Sequence, residues 1–421
     1  MKRYLLFILF IITTMVAFSQ DITGEWDGTL NVQNTPLRLV FHINKTDTGY
    51  SATMDSPDQG AKGIIMSHVT LEKSILTIEL RIAKIKYTGT VDKNAITGIF
   101  SQDGQSLSMN LIKNEMVTEK VEKPSVGKNL PFIETPIMLQ IKTGQIFGTL
   151  TIPKTFKQGP LALIIAGSGP TDRNCNNPAM TCDAYKKLAY ELAENNIASL
   201  RYDKRGIAES AAAVENESDL IFDDYVNDAK DWIQLEKQDK RFTQIVLIGH
   251  SEGSLIGMLA ATKADKFISL AGPGQSADIL LKEQLKAQPQ EFQDLSFPII
   301  DSLVMGKKVG NVNPMLTSLF RPSVQPYMIS WFKYDPQTEI KKLTIPILII
   351  QGTNDVQVSV DNARRLSAAN PESQLLLMDK MNHILRTVEG DRQANLATYN
   401  NAALPLADGL VKAMTDFILK K

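Results

Sequence analysis

The chain has 421 residues, too many for one ordinary core and comfortable for two, and a net charge of −1. That balance supplies no basic field and excludes nucleic acid as an expected partner. Its two cysteines, Cys175 and Cys182, are separated by six residues. In an oxidising compartment a local disulfide fits this spacing, and two free thiols fit it as well. No histidine stands near them, so metal binding is not expected there.

Lys2 and Arg3 precede an apolar run from Tyr4 to Phe18, and Ala17-Phe18-Ser19 places small residues at a cleavage spacing. Residues 1–19 therefore read as a secretory signal peptide cut after Ser19. The run is short for a membrane span, and no cysteine near the cut offers a lipid anchor. The mature protein is expected to be exported, to a bacterial periplasm or beyond, without stable membrane insertion.

Over residues 20–113 the signal is period two. Leu37, Leu39, Phe41 and Ile43 alternate with Arg38, Val40, His42 and Asn44; Leu76, Ile78, Leu80 and Ile82 repeat the pattern, as do Leu107, Met109 and Leu111. Turn clusters such as Asp92-Lys93-Asn94 and Gln102-Asp103-Gly104 fall between. About eight short strands are predicted, forming a small antiparallel barrel or sandwich. The opening Gly24-Glu25-Trp26-Asp27-Gly28 resembles the glycine-tryptophan start of lipocalin-like barrels. No catalytic set stands out in this segment, and His42 and His68 read as ordinary strand residues. Residues 114–134, charged and punctuated by Pro124, Gly127 and Pro131, read as a linker.

From Thr135 the pattern changes. Ile137–Ile141 and Ile146–Ile152 form an antiparallel pair around Thr143-Gly144, and Leu161–Ala166 is a buried strand. A helix over Tyr185–Asn195, a strand over Ala198–Tyr202 and a long amphipathic helix over Asp219–Lys240 follow. Strands at Ile245–Gly249 and Lys266–Ala271 come next; later elements are a strand at Ile345–Ile350, a helix at Val360–Ala369, a strand at Gln374–Met378 and a helix at Pro405–Leu419. Strands alternating with helices mean an α/β class protein with a doubly wound parallel sheet. Residues 275–341 interrupt the alternation with a Pro-broken, helical, apolar insertion, expected to be a lid over the site.

Gly249-His250-Ser251-Glu252-Gly253 is G-x-S-x-G between a buried strand and a helix. The two glycines relieve crowding around a serine in a strained turn, and the helix opening at Glu252 aims its amides and dipole at an oxyanion. Ser251 is the expected nucleophile. A serine needs a base. Of the four histidines, His42 and His68 lie in the barrel segment and His250 inside the motif, leaving His383, just after the last predicted strand.

With these motifs, residues 135–421 resemble the α/β-hydrolase superfamily. That resemblance implies the chain order Ser251, Asp355, His383, with Asp355 in the glycine turn after the Ile345–Ile350 strand and favoured over Asp361 and Asp379. It also implies an oxyanion loop in Gly167-Ser168-Gly169-Pro170-Thr171-Asp172-Arg173-Asn174, with the amides of Gly169 and Glu252 as donors. The G-S-G-P-T-D-R form resembles a bacterial branch holding carboxylesterases and proteins labelled serine aminopeptidases. In that branch a glycine often follows Asn174, where this chain has Cys175. Ser168, Asp172 and Arg173 are candidates for touching substrate, the last two equally for pinning the loop by a salt bridge. Arg201-Tyr202-Asp203-Lys204-Arg205-Gly206 resembles the family's D-x-R-G turn, with a structural role. The whole reads as an α/β-hydrolase fold with a helical lid, preceded by a small all-β barrel-like domain.

The expected function is hydrolysis of small to medium acyl esters with no cofactor and no metal, the partner being a small-molecule ester. Two rivals stand beside it. One is a serine aminopeptidase using the same triad on peptides, with Glu252 nearest in sequence to meet a free amino terminus; the other is a non-catalytic ligand-binding protein with a relic hydrolase domain.

Overall fold

The computed structural model describes residues 21–114 and 130–420, except 33–34, 47–48, 58–60, 103 and 178–179. The expected leader, most of the expected linker and the middle of the Gln102-Asp103-Gly104 turn lie outside the described residues. No described helix is long and apolar enough to cross a membrane.

The first unit is nine antiparallel strands: β1 (Gly24–Val32), β2 (Thr35–Thr46), β3 (Gly49–Ser56), β4 (Ala61–Ile65), β5 (His68–Glu72), β6 (Ile75–Leu80), β7 (Ile85–Asp92), β8 (Ala95–Gln102) and β9 (Gln105–Lys113). They are ordered 4-3-2-1-9-8-7-6-5. This is an up-and-down meander closed β1 to β9 and open between β4 and β5, a half-barrel. The alternating residues do what period two demands: Leu39, Phe41, Ile43, Leu76, Ile78, Met109 and Leu111 all point into one core around Trp26. The indole N–H of Trp26 donates to the Ile22 carbonyl at 2.8 Å. β6 ends at Leu80, so Ile82 falls in a short 3-10 turn rather than on the strand. His42 lies between Asp55 (3.0 Å) and Glu25 (3.4 Å) on this unit.

The second unit is an eight-stranded sheet. Its strands are β10 (Phe132–Ile141), β11 (Gly144–Pro153), β12 (Gly159–Ile165), β15 (Ala198–Tyr202), β16 (Phe242–His250), β17 (Lys266–Leu270), β18 (Ile347–Gly352) and β19 (Gln374–Met378), in the order 10-11-15-12-16-17-18-19. A two-residue-per-strand hairpin, β13 (Asn176–Asn177) and β14 (Met180–Thr181), follows β12. β10 and β11 are antiparallel and the rest parallel from β15 onward. β10 starts inside the expected linker, since Phe132 is buried against Tyr190 and Glu134 is held by Arg201.

Helices cover both faces, as a sheet buried on both sides requires. α1 (Ala184–Glu194) and the last helix, α11 (Leu410–Leu419), pack on one face; α2 (Phe222–Glu236), α3 (Glu252–Ala260) and α9 (Val360–Ala369) pack on the other. The chain thus leaves adjacent strands β12 and β16 toward opposite faces. That opens a crevice at their carboxyl ends, where sites of such sheets lie. Two helix starts differ from the periodicity. α2 begins at Phe222 because its first amide is capped from outside by Ser330 Oγ at 2.7 Å. α11 begins at Leu410 because Gly409, at φ +80°, turns the chain there.

Between β17 and β18 lie α4 (Ala277–Leu285), α5 (Gln290–Val304), α6 (Thr317–Phe320), α7 (Gln325–Trp331) and α8 (Pro336–Ile340). They share a small core of Leu285, Ile300, Leu303, Leu316 and Phe320. α7 docks on α2 through Trp331, stacked on Phe222 with ring centroids 5.9 Å apart. Arg321 ties this insertion to Glu217.

At the end of α2, Glu236 is 3% exposed and its Oε1 has no partner among the described residues. Burial, with Asp239 nearby, pushes its carboxyl up to about 7. The unfolded chain releases this proton first, so stability is full in acid, falls as pH rises toward 7 and stays lower above it. Glu236→Gln is expected to remove that decline and to stabilise the fold by up to about 3 kcal/mol at alkaline pH, with little effect in acid. Urea unfolding across pH checks it; equal gains at all pH values would contradict it.

Candidate active site

Ladder register sets the site. Ile165 of β12 pairs with Gly249 of β16, His250 with Leu270 of β17, Leu270 with Ile350 of β18, and Gly352 with Met378 of β19. The loops holding Gly167, Ser251, Asp355 and His383 therefore leave the same edge of the sheet.

Ser251 sits between β16 and α3 at φ +54°, ψ −123°, a conformation a non-glycine residue holds only under constraint. Its amide donates to the Leu270 carbonyl at 3.0 Å. Both flanking glycines are required by contact. A Cβ at Gly249 would stand 2.2 Å from the Gly253 carbonyl oxygen, and one at Gly253 would stand 2.3 Å from that of Ile165. Gly253→Ala is accordingly expected to cost about 3 kcal/mol or more and to abolish turnover by displacing the turn. A melting curve with native-like midpoint would contradict this.

His383 Nδ1 lies 2.7 Å from Asp355 Oδ2, with both side chains buried. The carboxylate is held from every side. Gln351 Nε2 donates to Oδ2 at 3.0 Å, and the amides of Gln357 and Val358 donate to Oδ1 at 2.8 and 2.9 Å. Burial works to raise the Asp355 carboxyl, but His383 and these amides outweigh it and hold it below the ordinary value. The His383 loop is closed by Asn382 N to Arg386 O and Arg386 N to Asn382 Oδ1, both 2.9 Å. With Nδ1 engaged, Nε2 is the nitrogen left to face a serine.

His250 joins the site through a directed chain. Its Nε2 faces the His383 carbonyl at 2.8 Å, and a carbonyl only accepts, so the proton is on Nε2. Burial, and then His383, push His250 down to about 3, so the ring is neutral and Nδ1 accepts. Tyr185 Oη donates to that Nδ1 at 2.7 Å and itself accepts from the Gly167 amide at 3.1 Å. On its other side, the Gly167 carbonyl accepts from Lys204 Nζ at 2.6 Å, and Lys204 also reaches Glu252 Oε1 at 2.9 Å. Lys204 and Glu252 are 1% and 2% exposed. Tyr327 of α7 stands beside Glu252, bringing the insertion to the start of α3.

It is Gly167, two residues before the expected donor, that presses on Ser251: a Cβ there would meet Ser251 Cβ at 3.2 Å and His250 Nδ1 at 3.4 Å. Gly169 is exposed in a left-handed turn at φ +72°, with Ser168 exposed beside it. Asp172 and Arg173 are both held by hydrogen bonds within the protein. Arg173 is 9% exposed and spans Asp203, Glu209 and Thr149; its amide donates to Asp203 at 2.7 Å. Asp172 accepts from the amides of Asn174 and Asn176, both at 2.8 Å, and burial pushes its carboxyl up to about 6. Both pin the loop. Cys175 and Cys182 are free and buried.

Sequence reasoning gave no role to Tyr185, His250 or Gln351, and read Lys204 only as part of a charged turn. A histidine inside a G-x-S-x-G motif was visible. Its partners were not, since they come from 65 and 133 residues away.

A family model described as serine aminopeptidase, S33, matches residues 178–319, about a third of the chain. The esterase EstD of Thermotoga maritima is 24% identical over 319 residues, 72% of each chain. Among solved structures, Est1E from Butyrivibrio proteoclasticus aligns over 68% of this chain and 99% of its own, at 17% identity and TM-score 0.43. The Pyrococcus furiosus esterase Pf2001 aligns over 59% and 83%, at 13% identity and TM-score 0.39.

Proposed function

We propose that this chain is a carboxylesterase of the α/β-hydrolase superfamily whose triad is Ser251, His383 and Asp355. The observation that carries the reading is the His383–Asp355 pair on the sheet edge that holds the strained Ser251. In this reading Ser251 Oγ attacks the ester carbonyl carbon as His383 Nε2 takes its proton. Asp355, kept ionised by its donors, orients the ring and stabilises the imidazolium. The amides of Glu252, at the first turn of α3, and of Gly169 receive the oxyanion. The alcohol leaves with the proton from His383, which then activates water to release the acid from Ser251. His250, neutral and committed at both nitrogens, does not compete for that proton.

The ester reading is favoured over the aminopeptidase one by Glu252. Its carboxylate, the nearest acid to meet a free amino terminus, is buried and already paired with Lys204. The apolar insertion, reaching Glu252 through Tyr327, suits acyl chains of small to medium size. A relative described as an esterase points the same way. Paired substrates test it: p-nitrophenyl esters of rising acyl length against aminoacyl p-nitroanilides. Rapid ester turnover with silent anilides is expected. Efficient anilide cleavage would transfer the assignment to a peptidase, because esters are chemically easy and amides are not.

A further inference from the structure

Cys175 and Cys182 flank the β13–β14 hairpin. Asn176 pairs with Thr181, and the two cysteines directly precede and follow that rung. The thiols are neighbours: Cys182 Sγ donates to the Cys175 carbonyl at 2.9 Å, and the Cys175 thiol donates to the Cys182 sulfur.

Two further observations separate this pair from inert core cysteines. Cys175 holds φ +74°, a left-handed conformation that favours glycine. Arg386, 1% exposed, donates through Nη2 to the Cys182 carbonyl, while its Nε and Nη1 have no partner among the described residues. A buried guanidinium with unmet donors is costly, and an anion beside it relieves that cost. The Cys175 thiol, against the effect of burial, and then the Ala184 amide and Arg386 hold the Cys182 thiol below its ordinary value, with Asp183 opposing. Contact with Cys182, burial and Asp172 push Cys175 up.

We propose that Cys175 and Cys182 are a disulfide-forming site, with Cys182 the attacking thiolate and Arg386 its stabilising cation. The oxidant is another disulfide, of a small thiol or a protein dithiol. Cys182 attacks one of its sulfurs, forming a mixed disulfide and releasing one thiolate. Cys175 then loses its proton and attacks the Cys182 sulfur, releasing the second. Two electrons and two protons pass to the oxidant, which leaves as two thiols. Between the cysteines, Asn176, Asn177 and Met180 are half-buried and Thr181 is exposed.

The test uses the folded full chain, fully reduced, then exposed to oxidised glutathione, quenched in acid, denatured, alkylated and weighed. A monomer two hydrogen atoms lighter, with neither cysteine alkylated and the two joined in one peptide, is expected. Cys175→Ser should stop at a glutathione adduct on Cys182. Cys182→Ser should leave Cys175 reacting at least about tenfold more slowly than Cys182 does in Cys175→Ser. Arg386→Lys should keep closure near the native rate, and Arg386→Gln should slow it about tenfold or more. Full alkylation of both cysteines after oxidant, or equal rates in the two serine variants, would overturn the proposal. The readout is covalent and independent of the catalytic assignment.

Discussion

Ser251→Ala is expected to lower kcat by about a millionfold and His383→Ala by a similar factor, because triad members act as one unit and removing either disables the whole. Neither change should unfold the protein. Ser251 donates its amide, not its hydroxyl, to the Leu270 carbonyl, and that bond survives in alanine. The His383 carbonyl that accepts from His250 is likewise kept. Melting curves with turnover of a p-nitrophenyl ester separate the two effects. Activity surviving His383→Ala would mean that another group is the base. His250 is a poor substitute, since its nitrogens are engaged and its ring is held neutral to about pH 3.

The second large effect is expected at Lys204. Its ammonium joins the Gly167 carbonyl, beside Ser251, to the Glu252 carboxylate at the start of α3, and lies 4.7 Å from the Tyr225 ring centroid. Lys204→Met leaves Glu252 buried without its cation and should cost about 3–5 kcal/mol. It also frees the loop that positions Gly167, and a displacement of about 1 Å there is enough to lower kcat about a hundredfold. The double variant Lys204→Met with Glu252→Gln removes both charges, so stability should largely return while activity stays low. Activity returning with stability would mean that the pair supports the fold alone. Urea unfolding and kcat measured on the single and double variants decide between these.

Much of this arrangement was legible because it is local. Alternation buries Leu39, Phe41 and Ile43 on one face of β2 whatever the neighbours do, and Gly249 is required by a contact with Gly253, only four residues on. The order of Ser251, Asp355 and His383 follows the strands that carry them. What escaped depends on distance in the chain. The salt-bridge partner of Arg173 is not visible locally, since Asp203 stands 30 residues on. Gly167 and Gly169 look alike in sequence; the register of Ile165 with Gly249 is what sets Gly167 against Ser251. α2 starts three residues later than the periodicity predicts because its cap comes from Ser330, 108 residues away in the insertion. The glycine expected after Asn174 has a physical reason, since the residue there, Cys175, is left-handed.

A fluorophosphonate probe tests whether Ser251 forms a covalent acyl-enzyme with His383 as its base. One adduct per chain is expected, mapped to the peptide containing Ser251, absent from Ser251→Ala and strongly slowed in His383→Ala. No adduct on the folded native chain, or an adduct on another residue, would contradict the account.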